Sequence, residues 1–229
     1  MEYTINIKGR LMDLSTPQVM GILNVTPDSF YSGSRKQTEM EIAQRANQII
    51  EEGGSIIDVG AFSTRPGADE VSEEEEGRRL KFALDIVRRE QPDAAVSVDT
   101  YRPTLARKCI EEWGADIIND VSEGGITGIV NVPLEQRQEE YPEMFRVVGE
   151  LKVPYILMSV QPTLATMMKG FAREVQQLRD LGAKDIILDP GFCFGKNLIQ
   201  NYQIYNEMEK LNVMELPVLV AISRKSMIY

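Results

Sequence analysis

The chain contains no histidine. That absence excludes Ser-His-Asp and Cys-His catalysis and every His-ligated metal site. Cysteine is scarce too: Cys109 and Cys193 make neither a disulfide framework nor a zinc cluster. Chemistry is left to carboxylates, amides, Lys, Arg, hydroxyls, or a hard cation on oxygen ligands. Positive charge is in the minority, 25 Lys and Arg against 35 Asp and Glu, for a formal net charge of −10. This argues against nucleic acid or an anionic membrane surface as the main partner, while a basic pocket can still bind an anion locally. No apolar run approaches the length of a membrane span. The opening residues, MEYTINIKGR, lack the apolar core of a secretory signal. A cytoplasmic location is expected.

What is present suits one α/β domain: 229 residues, 43% of them hydrophobic. The organising stretch is MGILNVTPDSF, residues 20–30. Met20 to Leu23 reads as a buried strand that halts at Asn24, and Pro27 cannot donate to a ladder. A strand ending on a polar residue and a polar loop is how a parallel α/β sheet presents chemistry. Ahead of it, residues 3–13 alternate around Lys8-Gly9 and predict a short hairpin. Behind it, strands are expected at 55–59, 94–98, 115–118, 154–158, 185–188 and 217–222. Helices are expected at 37–52, 72–90, 103–113, about 134–151, 164–181 and 198–211. Ser72 with Glu75 has the spacing of a capping box. A quasi-repeat, EEGGSIIDVG, EEWGADIIND and RDLGAKDIILDP, carries a charged helix end, a Gly cap, paired isoleucines and an acid or amide. Alternating βα units give a parallel sheet with right-handed crossovers. Seven strands with polar ends favour a (β/α)8 barrel, a TIM barrel, over an open doubly wound sheet, and no GxGxxG follows the first strand.

In a barrel the C-terminal strand ends share one mouth. That groups Asn24, Asp58, Asp99, Asn119, Met158, Asp189 and Lys225. Carboxylates accept from an edge with adjacent N–H groups, Asn both donates and accepts, and Lys suits a carbonyl or ring nitrogen. Together they suit an aminated heterocycle. STRPG and SRKS bring Arg65 and further basic residues suitable for an anion, although STRPG taken alone reads first as a Pro-Gly turn with an exposed Arg. Phe30, Phe192 and Phe194 lie on loops, either as ordinary loop apolars or as aromatics that sandwich a flat substrate.

GILNVTPDSF, IDVGAFSTRPGA, SVDTYRPTLAR, GADIINDV, ILDPGFCFGK and PVLVAISRKS, in that order, together resemble the dihydropteroate synthase family over residues 18–229. The resemblance implies a pterin-binding barrel that condenses 6-hydroxymethyl-7,8-dihydropterin pyrophosphate with p-aminobenzoate, releasing pyrophosphate. It implies that Asp99, Asn119 and Asp189 read the pterin N–H edge, with Lys225 on its carbonyl and ring nitrogen and Met158 against the ring. Asn24 would coordinate Mg²⁺ on the pyrophosphate. Thr64, Arg65, Pro66, Phe30, Phe194, Ser223 and Lys225 would shape the p-aminobenzoate side, with Lys225, Arg65 and Asp99 closest to catalysis. Sulfonamides, as mimics of p-aminobenzoate, are expected inhibitors. A homodimer is expected for the full-length enzyme.

The sequence departs from the family's pattern in three places. Ser159 in LMSVQPT stands where a histidine is usual, and Cys193 stands where glycine is common. The family's last helices and eighth strand, with a pyrophosphate-gripping Arg and a nearby His, have no counterpart. A barrel of ~250 residues built from ~30-residue βα units leaves ~45 residues to find, so a C-terminally incomplete barrel is expected. Two other readings compete. A methyltetrahydrofolate methyltransferase shares the strand ends but leaves NVTPDSF, STRPG and SRKS unexplained together. A non-catalytic folate-related binding protein fits the departures, but every matched pterin-pocket residue is present.

Overall fold

A computed structural model describes residues 3–25, 35–62, 71–125 and 141–228. The chain opens with an antiparallel hairpin of β1 (Thr4–Ile7) and β2 (Arg10–Asp13). It continues through β3 (Met20–Asn24), α1 (Arg35–Glu51), β4 (Ile56–Gly60), α2 (Glu73–Glu90), β5 (Ala95–Asp99) and α3 (Pro103–Glu111). Then come β6 (Ile117–Asp120), α4 (Glu143–Leu151), β7 (Tyr155–Met158), α5 (Leu164–Asp180), β8 (Ile186–Asp189) and α6 (Leu198–Glu207). A 3-10 segment, Met208–Met214, takes over where the sequence predicted α-helix to 211. Among the described residues, no helix is long and apolar enough to cross a membrane.

The six parallel strands pair in chain order, β3-β4-β5-β6-β7-β8. A doubly wound sheet would reverse its strand order at a switch point. This sheet never does, so it is the arc of a singly wound barrel.

Local signals set the boundaries. Ser72 caps α2 by accepting from the Glu75 amide. Four glutamates fill the first turn of that helix and Arg88 and Arg89 its last, which suits the helix dipole. The Glu75 carboxylate does not close the box backwards; it binds Arg78 and Arg79. The quasi-repeat glycines Gly53, Gly114 and Gly182 take φ of 93°, 86° and 93°. The following amide returns to the helix in each case: Gly54 to Ile49 O, Ala115 to Cys109 O, Ala183 to Leu178 O. The left-handed turn that ends each helix is why glycine recurs there.

Side chains alternate across the sheet. Ile57, Val59, Val96, Val98, Ile118, Leu157 and Leu188 point outward and pack against the helices. The inward face starts apolar, with Ile56, Ala95, Ile117, Ile156 and Ile187. Ile5 and Ile7 of the hairpin insert among them and plug the N-terminal end of the arc. Burying each contributes roughly 1.5–3 kcal/mol. Lys8, in the hairpin turn, fastens the plug through Gly114 O at 3.1 Å and Asp116 at 2.7 Å.

The expected seventh strand, 217–222, does not form. A single parallel bridge joins Leu188 to Val218, with Leu188 N–H donating to Pro217 O and Leu219 N–H to Leu188 O. Pro217 has no N–H to give, and no described strand lies on the far side to complete a ladder. The arc is therefore open. Ile22, on β3, is 58% exposed and Val220, at the other edge, 39%. Arg45 of α1 covers part of the β3 edge by donating to Ile22 O at 3.1 Å.

Candidate active site

Register places the inward strand ends. Asn24 lies opposite Gly60, Gly60 opposite Asp99, and Asp99 opposite Asn119. The arc then climbs: Asn119 pairs with Ile156, so Met158 and its partner Asp189 stand two residues higher. Parallel partners share a face, so all these side chains except the absent one of Gly60 point into one concavity.

Asp58 was expected at the mouth. Because β4 runs on to Gly60, Asp58 sits one layer below, opposite Ile22 and Ser97. There Asn119 Nδ2 donates to Asp58 Oδ2 at 3.1 Å. The bond fixes the Asn119 amide, aiming its oxygen away from Asp58. Burial pushes the Asp58 carboxyl up to about 6, against the pull of the adjacent Ser97 hydroxyl and Asn119 amide.

Asp99 is raised well above the ordinary carboxylate range by burial and by the charges of Asp58, Glu76 and Asp120. Its Oδ1 is buried without a hydrogen-bond partner among the described residues. The strand end is held from behind: Thr100 Oγ1 donates to Glu76 Oε1 at 2.6 Å, and Arg102 pairs with Glu76 at 3.0 Å. Arg102 also donates to Val71 O at 2.6 Å, just before the α2 cap. An acceptor left open on such a rigid mount is suited to an incoming N–H donor. Asp120 alternates to the other face, where Tyr155 Oη, Ser122 and Gly124 donate to it. It is a structural anchor.

Asp189 is buried, and Gly191 N–H donates to its Oδ1 at 2.8 Å. Burial raises its carboxyl, while that amide, Lys225 and Lys196 draw it back. Gly191 has φ +62°, and a Cβ there would lie 2.3 Å from Ser159 O, so this turn requires glycine. Lys225 is lowered by burial; its Nζ donates to Phe192 O at 2.7 Å and lies 4.6 Å from the Phe194 ring centroid. Ser223 is exposed in the neighbouring turn. Cys193 has φ +68°, which explains why glycine suits that position, and its amide binds Asn201 Oδ1. Ser159 uses its hydroxyl locally, accepting from Gln161 N–H at 3.2 Å.

The structure thus gathers Asp99, Asn119, Met158, Asp189, Lys225 and Phe194 into one mouth, with Asn24 at its exposed rim. Phe30, Thr64, Arg65 and Pro66 lie outside the described residues. Asn24 Oδ1 fills the space a Gly60 Cβ would take, 2.8 Å from that position. No cluster of three or more His, Cys, Asp or Glu among the described residues could hold a metal ion. A lone amide oxygen at an open rim fits only an ion that arrives with most of its own oxygen ligands. Lys196 and Glu76 were not singled out from the sequence; the lysine of ILDPGFCFGK was the one available signal.

A barrel arc with an apolar plug below and convergent acid and amide groups above, the Asp99 Oδ1 acceptor open among them, belongs to the class of α/β-barrel enzymes that bind a flat, N–H-rich heterocycle. Known proteins agree. Residues 20–229 match the family model described as pterin binding enzyme. The dihydropteroate synthase of Escherichia coli K12 is 37% identical over 96% of this chain and 78% of its own. The Xanthomonas albilineans dihydropteroate synthase solved with 4-aminobenzoic acid superposes with a TM-score of 0.84 at 31% identity, covering 100% of this chain and 81% of that one. The Yersinia pestis enzyme in a sulfonamide drug complex gives 0.79 at 34% identity, covering 98% and 81%. The chain belongs to the dihydropteroate synthase family of pterin-binding enzymes.

Proposed function

We propose that this chain is a dihydropteroate synthase, a transferase of folate biosynthesis that joins a dihydropterin methylene to the amine of p-aminobenzoate. The carrying observation is the shared concavity of Asp99, Asn119 and Asp189, with Lys225 beside Asp189, in a chain of this family. Asp99 Oδ1 and Asp189 accept from the pterin's N–H edge, the Asn119 oxygen accepts beside them, and Met158 packs on the ring. When substrate enters, Lys225 exchanges its bond to Phe192 O for the pterin carbonyl and ring nitrogen.

The arylamine is already a nucleophile, so no histidine base is required. The methylene C–O bond breaks and pyrophosphate departs with the electron pair. The dihydropterin ring spreads the positive charge, favoured by the nearby carboxylates, in an SN1-like path. The amine lone pair then forms the C–N bond and the amine proton is released. Asn24 would hold Mg²⁺ carried by the pyrophosphate, where the ion would neutralise leaving-group charge. Thr64, Arg65, Pro66, Phe30, Phe194 and Ser223 would complete the p-aminobenzoate side, and sulfonamides would compete there. Free cysteines suit a cytoplasmic location, and a homodimer is the expected assembly of the full-length enzyme.

The test mixes the pterin pyrophosphate, p-aminobenzoate and Mg²⁺ with the chain and follows dihydropteroate by mass spectrometry. Pterin binding without product under any condition would leave the non-catalytic reading. Methyl transfer from methyltetrahydrofolate would replace the proposal.

A further inference from the structure

Lys196 has no part in the contacts assigned above. Its Nζ donates to Ser159 O at 2.8 Å, Gly191 O at 3.0 Å and Phe194 O at 3.1 Å. An ammonium has three N–H donors, so this one is saturated inside the protein and has none for a ligand. Its partners are informative. Ser159 follows Met158 at the end of β7. Gly191 is the residue whose amide holds Asp189 Oδ1. Phe194 carries the ring beneath Lys225. One cation therefore ties the β7 loop to the β8 loop at the backbone of three residues that flank or form the mouth.

Burial lowers the Lys196 pKa to about 8; Asp189, Glu123 and Cys193 push it up and Lys225 pushes it down. The same field acts in reverse on Asp189, which Lys196 and Lys225 hold down against burial. A compact, tetrahedral ammonium suits three converging carbonyls, whereas a planar guanidinium does not.

We propose that Lys196 is a positioning residue for pterin recognition, its ammonium fixing the Asp189–Phe194 turn and keeping Asp189 an anionic, acceptor-only group. The inference rests on the reading of Asp189 as the acceptor for the pterin N–H edge. A protonated Asp189 carries an O–H donor where the ligand also donates, so pterin affinity falls as that carboxyl takes up its proton.

The test measures binding of 6-hydroxymethylpterin, which has no phosphate to titrate, by calorimetry between about pH 5 and about pH 7.5. The proteins are the 229-residue chain and its Lys196→Met, Lys196→Gln, Lys196→Arg and Asp189→Asn variants. Lys196→Gln keeps two donors for the carbonyls while removing the charge, so it serves if the Met variant does not fold. Binding by the parent chain should weaken toward acid. Both neutral variants should bind about tenfold more weakly near pH 7, with the acid midpoint moved up. Lys196→Arg, which keeps the charge but not the ammonium geometry, should stay nearer the parent midpoint than the neutral variants. Asp189→Asn should lose most of the affinity, any acid limb left being that of the raised Asp99 carboxyl. An unmoved midpoint in both neutral variants overturns the role of Lys196. Undiminished binding by Asp189→Asn, or none by the parent chain, overturns the reading of Asp189 itself.

Discussion

Replacing Asp58 with Asn should stabilise the protein at mildly alkaline pH and have no effect in strong acid. Asp58 lies in the inner layer, 6% exposed, and burial lifts its carboxyl to about 6 from an ordinary value near 3.9. An acid raised on folding favours the fold below its unfolded pKa and loses that favour as pH rises through its folded pKa. The loss therefore runs from about pH 4 to about pH 6. Two pKa units at about 1.4 kcal/mol each give about 3 kcal/mol above that window. An Asn at 58 keeps an oxygen for Asn119 Nδ2 and offers its N–H to the Ser97 hydroxyl beside it. It also removes one of the charges that raise Asp99. The expected gain is about 2–3 kcal/mol at about pH 8, or roughly 5–10 °C in Tm for a chain of this size. At about pH 5 the gain should halve. Urea unfolding at both pH values reads it directly. No gain at pH 8, or a gain independent of pH, would refute the argument that Asp58 is a buried charge maintained at a cost in stability. The same variant should bind pterin less well, because Asn119 loses a charged acceptor that orients it.

Lys225→Ala should lower turnover by about 10²–10³ while leaving the unfolding midpoint nearly unchanged; near-normal turnover would remove it from the chemistry. Gly60→Ala places a methyl 2.8 Å from Asn24 Oδ1 and 3.4 Å from Asp99 Oδ2. It should weaken Mg²⁺-dependent pyrophosphate binding about tenfold, a loss calorimetry with and without Mg²⁺ can separate from any effect on pterin. The exposed edges at Ile22 and Val220 should make the chain self-associate, and Ile22→Lys should reduce this. Sedimentation showing a monomer at every concentration would contradict it.

Patterns with a fixed local cause were legible in the sequence. Short apolar runs, three of them with paired isoleucines, mark the six strands, because a buried parallel strand has to be apolar on both faces. The glycines at 53, 114 and 182 mark helix ends, because only a left-handed turn ends them this way. The motifs placed Asp99, Asn119, Met158, Asp189 and Lys225 at one mouth, because strand ends in a barrel converge. Tertiary structure decided what depends on distant partners. PVLVAI has the composition of a strand, yet residues 217–222 make only one bridge, since a ladder needs neighbours the local sequence does not supply. Asp58 dropped a layer because β4 runs on to Gly60 and side-chain level follows register. The motif ILDPGFCFGK contains Lys196 but could not show its role: its partners are backbone carbonyls of Ser159, Gly191 and Phe194, and every residue has a carbonyl. Only the folded chain determines which three converge.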